Sequence, residues 1–509
     1  MTFSVSLRRR AGRASSKTSA KPQEPSADGL LGFDLLHHLT YLSAISAAGI
    51  PRSQIFAHAA RLPVSTAVYF AEIEHLVGNL NYEYAEACRI VGEKSKRDIV
   101  KSLFLRLAGA LTSGEPEADF LEREARIYAE AYSNEYESKL ETLRKWTDAY
   151  AALVVSAVLV IIVAVISTII YDLGVGVILG LVGLTVALCG LGVWIIFRST
   201  PSERRFIAGP QGLPSQRGTR RAAFTLVPGA LIVASLLGML GVPLGWILLA
   251  VALAFLLVGV LASRYDARIT KLDRETAVFL RVVGATATAI GTTVSEALGR
   301  IDLRALPHLA SAVRRLYLRL QAGAAPELCW EKLVTETGSE LMRRSVRIFL
   351  DGISMGGEPE EVGARTALLA MKTAFLREKR KLTTRTFAWL TLALHTTVAF
   401  LLTFVVAIVS AFGEMVQKVS LPDMAGQSNI NLTSFFSLSF AHMRLLEMLT
   451  GPVVIALSIV NALAPHLADG GYPFRLLFPL SLTLAASGAA LIASPVLAHM
   501  IMGSIPSFS

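Results

Sequence analysis

The side chains able to do chemistry in this 509-residue chain are few and poorly spaced for it. His37 and His38 are adjacent, and neighbours on a helix point about 100° apart, a poor arrangement for gripping one metal ion. No His-Glu-x-x-His occurs, and a Ser-x-x-Lys beginning at Ser16 fails because residue 19 is serine. The stretch "GEKSKRD" (92–98) has the Lys-Ser of a phosphate loop without the glycine-rich run before it, on a helical pattern. Cys88, Cys189 and Cys329 stand at neither disulfide nor metal spacing and read as small buried hydrophobes. His395 is the one ionisable residue well inside an apolar run, and it reads as a side chain bonded to a neighbouring helix rather than a proton relay. No enzyme, cofactor or metal site follows from these residues, and no nucleic-acid partner is expected.

One phrase does stand out by its spacing. "SGEPEADF" at 113–120 returns as "GGEPEEVG" at 356–363. In each, a glycine able to close a helix in the left-handed region (Gly114, Gly357) is followed by glutamate (Glu115, Glu358) and by proline (Pro116, Pro359). Proline suits a first helical turn, whose N–H has no partner, and the acids that follow suit the positive end of a new helix. The phrase therefore predicts a corner between two helices. Gly114 and Gly357 differ by 357 − 114 = 243, and the same offset pairs Gly109 with Gly352, Leu105 with Ile348 and Leu103 with Val346. Further upstream, "SAISAAGIPRSQIFAHAA" (43–60) resembles "GATATAIGTTVSEALGRI" (284–301), with Gly49 opposite Gly291 at an offset of 242. A shared register over about 70 residues reads as an internal duplication of a helical module.

These corners must be positioned by a membrane protein. The chain is 53% hydrophobic and 17% charged, with mean hydropathy +0.52. Uncharged runs such as 149–171 and 175–197 are long enough, at ~1.5 Å per residue, for a ~30 Å hydrocarbon core. Similar runs at about 222–240, 243–263, 387–412, 446–464 and 476–498 bring the expected number of spans to seven. The fold class is thus an all-α polytopic membrane protein with two duplicated cytoplasmic helical-bundle modules. The expected order is a disordered basic tail (1–27), module one (28–148), four spans with a basic loop at 198–221 (149–263), module two (264–386), and three spans with an outer loop at 413–445 (387–509).

Charge sets the expected orientation. The 198–221 loop carries six arginines against one acid, and the tail six basic residues against one acid, so both belong in the cytoplasm by the positive-inside rule, and the modules with them. The modules differ in sign: 28–148 holds 13 basic and 18 acidic residues, 264–386 holds 21 basic and 14 acidic. An acidic and a basic copy of one shape could pair, within a chain or between protomers. The basic strip Arg377, Lys379, Arg380 and Lys381 lies just before the fifth span, where such residues bind anionic headgroups and fix topology. Asn431, in "NLT" on the expected outer loop, matches a glycosylation acceptor.

The duplicated order of "SAISAAGIPRSQIFAHAA", "KSLFLRLAGALTSGEP" and a charged helix running into a span resembles the type II secretion F-domain family, over about 28–171 and 264–412. These are inner-membrane platform proteins of type II secretion systems, type IV and tight-adherence pili and the archaellum. The ending "NALAPHLADGGYPFRLLFPLSLTLAASG" (461–488) resembles archaeal members, and the corner prolines and the number of spans resemble the archaeal or tight-adherence branch. The resemblance implies a non-enzymatic platform in the cell membrane that engages a hexameric secretion ATPase and pilin-like subunits, commonly as a homodimer. It makes Gly114, Glu115, Pro116, Gly357, Glu358 and Pro359, with Arg377, Lys379, Arg380 and Lys381, candidate partner contacts. A transporter or channel built from internal repeats is the alternative reading.

Overall fold

A computed structural model describes residues 28–170, 175–207, 214–418 and 432–503. Among them the regular structure is helical, with no strand beyond one isolated bridge. The first five helices are short: α1 (Asp28–Ser46), α2 (Arg52–Ala60), α3 (Ala67–Leu80), α4 (Tyr84–Lys94) and α5 (Asp98–Ser113). Next come α6 (Glu117–Ile170), α7 (Val175–Ser199), α8 (Pro214–Met239) and α9 (Leu244–Ile290). Four more short helices follow: α10 (Val294–Ala297), α11 (Ala310–Gln321), α12 (Pro326–Thr337) and α13 (Glu340–Ser354). The chain then runs through α14 (Pro359–Lys418), α15 (Leu432–Asp469) and α16 (Leu477–Gly503).

Seven of these, α6 to α9 and α14 to α16, are long and apolar enough to cross a membrane, among the described residues. Two of the seven do more than span. At ~1.5 Å per residue, α6 extends roughly 81 Å and α14 roughly 90 Å, far beyond a bilayer core. Each is one uninterrupted helix from its corner through its charged part into its apolar part. The stretch 117–148 holds neither Gly nor Pro, so nothing in the sequence breaks α6 before its span. Gly363 near the start of α14 is no joint either. Its Cα packs against Gly284 of α9 so closely that a Cβ on Gly284 would collide with the Pro359 carbonyl. The fourth span also continues past its expected end at 263, as α9 runs unbroken to Ile290 inside the second module.

The turn between α8 and α9 is tight. Gly241 takes φ +75, and the Val242 amide donates to the Leu237 carbonyl at 3.1 Å. The segment expected as an outer loop, 413–445, is helical at both ends, since α14 reaches Lys418 and α15 starts at Leu432. Asn431 and the tail 1–27 lie outside the described residues.

The two modules share a single apolar core rather than owning one each. Leu42, Ile45, Phe70 and Phe104 from the first and Phe279, Phe349, Val362 and Leu369 from the second belong to one continuous buried cluster. All three cysteines are free and buried within the helical packing.

Candidate functional site

The feature that ties the modules to the membrane helices is an ionic hub around Glu203. This glutamate is the one acid in the arginine-rich loop after α7. Residues 200–207 fold back against the second module. The Glu340 amide donates to the Arg205 carbonyl at 3.1 Å, and the Ile207 amide to the Gly338 carbonyl at 3.2 Å. That return carries Glu203 under α14, where Arg377 Nε donates to its Oε2 at 2.8 Å. The Tyr136 hydroxyl of α6 donates to its Oε1 at 2.9 Å, while Arg205 and Arg380 stand 3.7 Å away. Burial alone would raise the Glu203 carboxyl, but Arg377, Arg205 and Arg380 together hold it down at about 2. It is a carboxylate at every physiological pH.

The hub extends along α14 and α9. Arg377 Nη1 donates to Asp273 at 2.8 Å, and Asp273 also accepts from the Ser339 hydroxyl at the start of α13. Arg380 donates to two carbonyls, Pro201 at 2.8 Å and Ala468 at 2.9 Å. Lys381 reaches Asp266 at 3.0 Å; Arg475, between α15 and α16, reaches the same carboxylate at 3.2 Å and also pairs with Asp469. The basic strip before the fifth span is therefore not one surface. Arg377 and Arg380 are buried and fully occupied inside the protein, Lys381 is half-buried, and Lys379 alone points outward, paired with Glu137 at 2.6 Å. A signal for this division was present in the spacing. Residues 377, 380, 381 and 384 recur at i, i+3, i+4 and i+7, one helix face, whereas 379 lies off it. Nothing in the sequence marked Glu203 as their common partner.

Charge also joins the modules to each other. Asp34 of α1 pairs with Arg344 of α13 at 2.7 Å, both buried, with the guanidinium 4.7 Å from the centre of the Phe33 ring. The Tyr41 hydroxyl donates to Asp351 at 3.0 Å, and Arg365 of α14 bridges Glu122 of α6 at 2.7 Å. In each ion pair the acid comes from the first module and the cation from the second. The opposite net charges of the two modules are thus used within one chain. Beside Asp34, His37 and His38 are buried; His38 Nδ1 lies 2.7 Å from the Thr66 hydroxyl and its ring packs, tilted, against Phe70 at 4.3 Å. Burial pushes His38 down to about 3 and His37 well below its usual value. Among the described residues no three metal-ligating side chains gather, there or elsewhere.

The two corners differ. At the first, Gly114 closes α5 in the left-handed region at φ +73, and Glu115 pairs with Arg123 at 2.6 Å. At the second, the left-handed residue is Gly356 (φ +96), not Gly357 as expected. Gly357 is required for a different reason, since a Cβ there would meet the Gly352 carbonyl at 2.8 Å. Pro116 immediately precedes α6, whereas Pro359 opens α14. Glu358 is exposed and has no side-chain partner among the described residues.

Deeper in the membrane helices, His395 is enclosed by polar groups from two neighbours. Asn461 Nδ2 lies 3.0 Å from its Nδ1, and Nε2 lies 2.9 Å from the Ser487 hydroxyl and 3.2 Å from the Thr483 carbonyl. This network assigns the proton to Nε2. Asn461 in turn accepts from the Tyr150 hydroxyl of α6 at 2.8 Å. His395 thus knits α14 to α15 and α16, and through Asn461 to α6, as an interhelical bond rather than a free ionisable group.

Comparison with known proteins agrees with this architecture. Residues 39–165 match the family described as type II secretion system (T2SS), protein F, from within α1 into the apolar part of α6. The Flagella accessory protein J of Methanocaldococcus jannaschii is 21% identical over 447 residues, covering 83% of this chain and 76% of that protein. No solved structure matches the chain. With seven candidate spans and a matched segment that runs from a helical bundle into the first of them, the chain is a multi-pass membrane protein whose residues 39–165 match the type II secretion system F family and which is similar over most of its length to an archaeal flagella accessory protein.

Proposed function

We propose that this protein is the non-enzymatic membrane platform of a type IV-like filament machine, coupling a cytoplasmic secretion ATPase to the insertion of pilin-like subunits. The observation that carries the reading is the single helix α6, which leaves the first corner inside the family-matched segment and enters the membrane without a break. In this reading both modules face the cytoplasm, as the arginine-rich 198–221 loop requires by the positive-inside rule. The modules are copies of one bundle. The offset register supports this, as does the left-handed φ of +66 shared by the paired glycines Gly49 and Gly291.

The motor's contact is the corner surface, Gly114–Pro116 and Gly357–Pro359. Exposed, unpaired Glu358 offers the freer charge, and Glu115 is the weaker contributor because Arg123 already holds it. Homodimerisation belongs to the same reading. The test is co-purification of the membrane protein with the secretion ATPase of its own organism, in wild type and in the double variant Glu115→Lys, Glu358→Lys. The expected result is normal membrane insertion with loss of the ATPase and of filaments. Normal piliation in the double variant would remove the corners as contacts, and failure of the wild type to retain the ATPase would count against the coupling itself.

A further inference from the structure

A half-open cavity of about 360 Å³ lies between α9, α14, α15 and α16 beside the hub, and its lining changes character along its length. One end is ionic, made by Lys381, Arg475, Asp266 and Asp469. The other is mainly apolar, made by Ala388, Trp389, Leu392 and Leu482, with Asn461 and Thr483 at its deep edge. The change falls where the apolar run of α14 begins, just after Arg385, so the cavity straddles the membrane boundary on the side of the modules. The ionic end is already neutralised among its own residues, with Lys381 and Arg475 both on Asp266 and Arg475 also on Asp469. Arg385 is different. It lines the cavity at the junction, is exposed, and has no side-chain partner among the described residues.

We infer that this cavity holds an anionic phospholipid of the leaflet adjoining the modules, its phosphate on Arg385 and its glycerol and upper acyl chain along Ala388, Trp389 and Leu392. The chemistry is specific to an amphiphile. A soluble phosphate would satisfy Arg385 but leave the apolar half unfilled, whereas a lipid matches both ends in the order the cavity presents them. Trp389, largely exposed at this level, is the residue type that sits at headgroup depth. The headgroup contact thereby shifts from the strip at 377–381, whose two buried arginines are taken by the hub, to the next exposed cation along the same helix. Bound there, the lipid bridges α14 to α16 beside the hub.

The test uses the full chain in nanodiscs of nine parts phosphatidylcholine to one part phosphatidylglycerol, with native mass spectrometry of the released protein. Wild type is expected to retain one phosphatidylglycerol. Arg385→Ala should lower that retention roughly fivefold, on the scale of one lost cation at a membrane surface. Ala388→Trp, which fills the apolar half, should lower it as well. Arg264→Ala is the control, removing an exposed arginine at the same boundary but outside the cavity lining. Equal losses in Arg385→Ala and Arg264→Ala would reduce the effect to general surface attraction and overturn the site. Retention unchanged in Arg385→Ala would overturn it too. In detergent, the part of the tryptophan emission that is lost in Trp389→Phe should respond to phosphatidylglycerol micelles and not to inorganic phosphate. An equal response to phosphate alone would make the ligand a soluble anion and overturn the lipid assignment. Unchanged thermal unfolding of Arg385→Ala is expected from its exposure and separates loss of ligand from loss of fold.

Discussion

The two helical modules are held in opposite ways. The second is clamped to the membrane domain from both ends, because α9 enters it from a span and α14 leaves it into another. Where these two helices cross, Gly284 meets Gly363 backbone to backbone. At the sequence offsets of 242 and 243 those glycines correspond to Leu42 of α1 and Phe120 of α6, both large and buried. The first module has one continuous connection to the membrane, α6, and rests on the second through Asp34–Arg344 and Arg365–Glu122. One module is welded in place, and the other is docked on it through the shared apolar core and these ion pairs.

The sharpest way to break this contrast is to remove the buried docking pair. Asp34→Ala leaves Arg344 with only Glu340 and also takes the acceptor from the Ser65 amide and hydroxyl. About 3 kcal/mol is expected from breaking a buried ion pair and leaving the Ser65 donors without their acceptor. Limited proteolysis should then cut within 28–116 while the second module stays protected. Equal protection of both modules would show that the docking is not electrostatic.

Acid should separate the modules next. His38 is held at about 3 against an unfolded value near 6.5. The folded state binds fewer protons, so His38 favours folding fully above about pH 6.5 and loses that contribution as pH falls towards 3. At pH 5 the loss is about 2 kcal/mol from His38, and His37 adds to it in the same direction. The second module has a single histidine, His308, half-exposed on Glu275. Hydrogen exchange measured at pH 7.5 and pH 5 should therefore rise in α1 to α3 before it rises in α11 to α13. A parallel rise in both would contradict the burial of the pair.

Two smaller effects test the corners. Gly352→Ala must push its Cβ against Val362 Cγ1 at 2.8 Å, and about 1–3 kcal/mol of destabilisation is expected. Its register partner, Gly109, has open space within 4 Å and ordinary helical φ, so Gly109→Ala should stabilise by about 0.5–1 kcal/mol. Thermal shifts of opposite sign are the expected readout. The smallest effect belongs to Lys379→Ala, which removes an exposed pair with Glu137 and should change stability by less than about 1 kcal/mol.

Local signals in the sequence were sufficient for the spans, because hydropathy acts over twenty adjacent residues, and for the corners, because Gly and Pro constrain φ where they stand. They misplaced the second left-handed glycine by one position, at Gly356 rather than Gly357, since three consecutive residues there, Met355 to Gly357, share the turn. What stayed hidden is long-range. Arg377 finds Glu203 across 174 positions and Asp34 finds Arg344 across 310, and composition cannot tell a cation destined for a headgroup from one destined for a buried carboxylate. The continuation of α9 beyond its span was concealed for the opposite reason, because charges beginning at Arg264 read as the end of a helix when they mark only the end of the bilayer.

The hub divides α14 unequally, and that gives the helix the geometry of a lever. From Pro359 to Arg377 is roughly 27 Å of helix, and from Arg380 to Lys418 roughly 57 Å. With Arg377 and Arg380 clamped as the fulcrum, a small tilt imposed at the corner would swing the far end in the opposite sense through about twice the distance. The same clamp would set a mechanical ratio between displacement at the Pro359 end of the helix and travel at its Lys418 end.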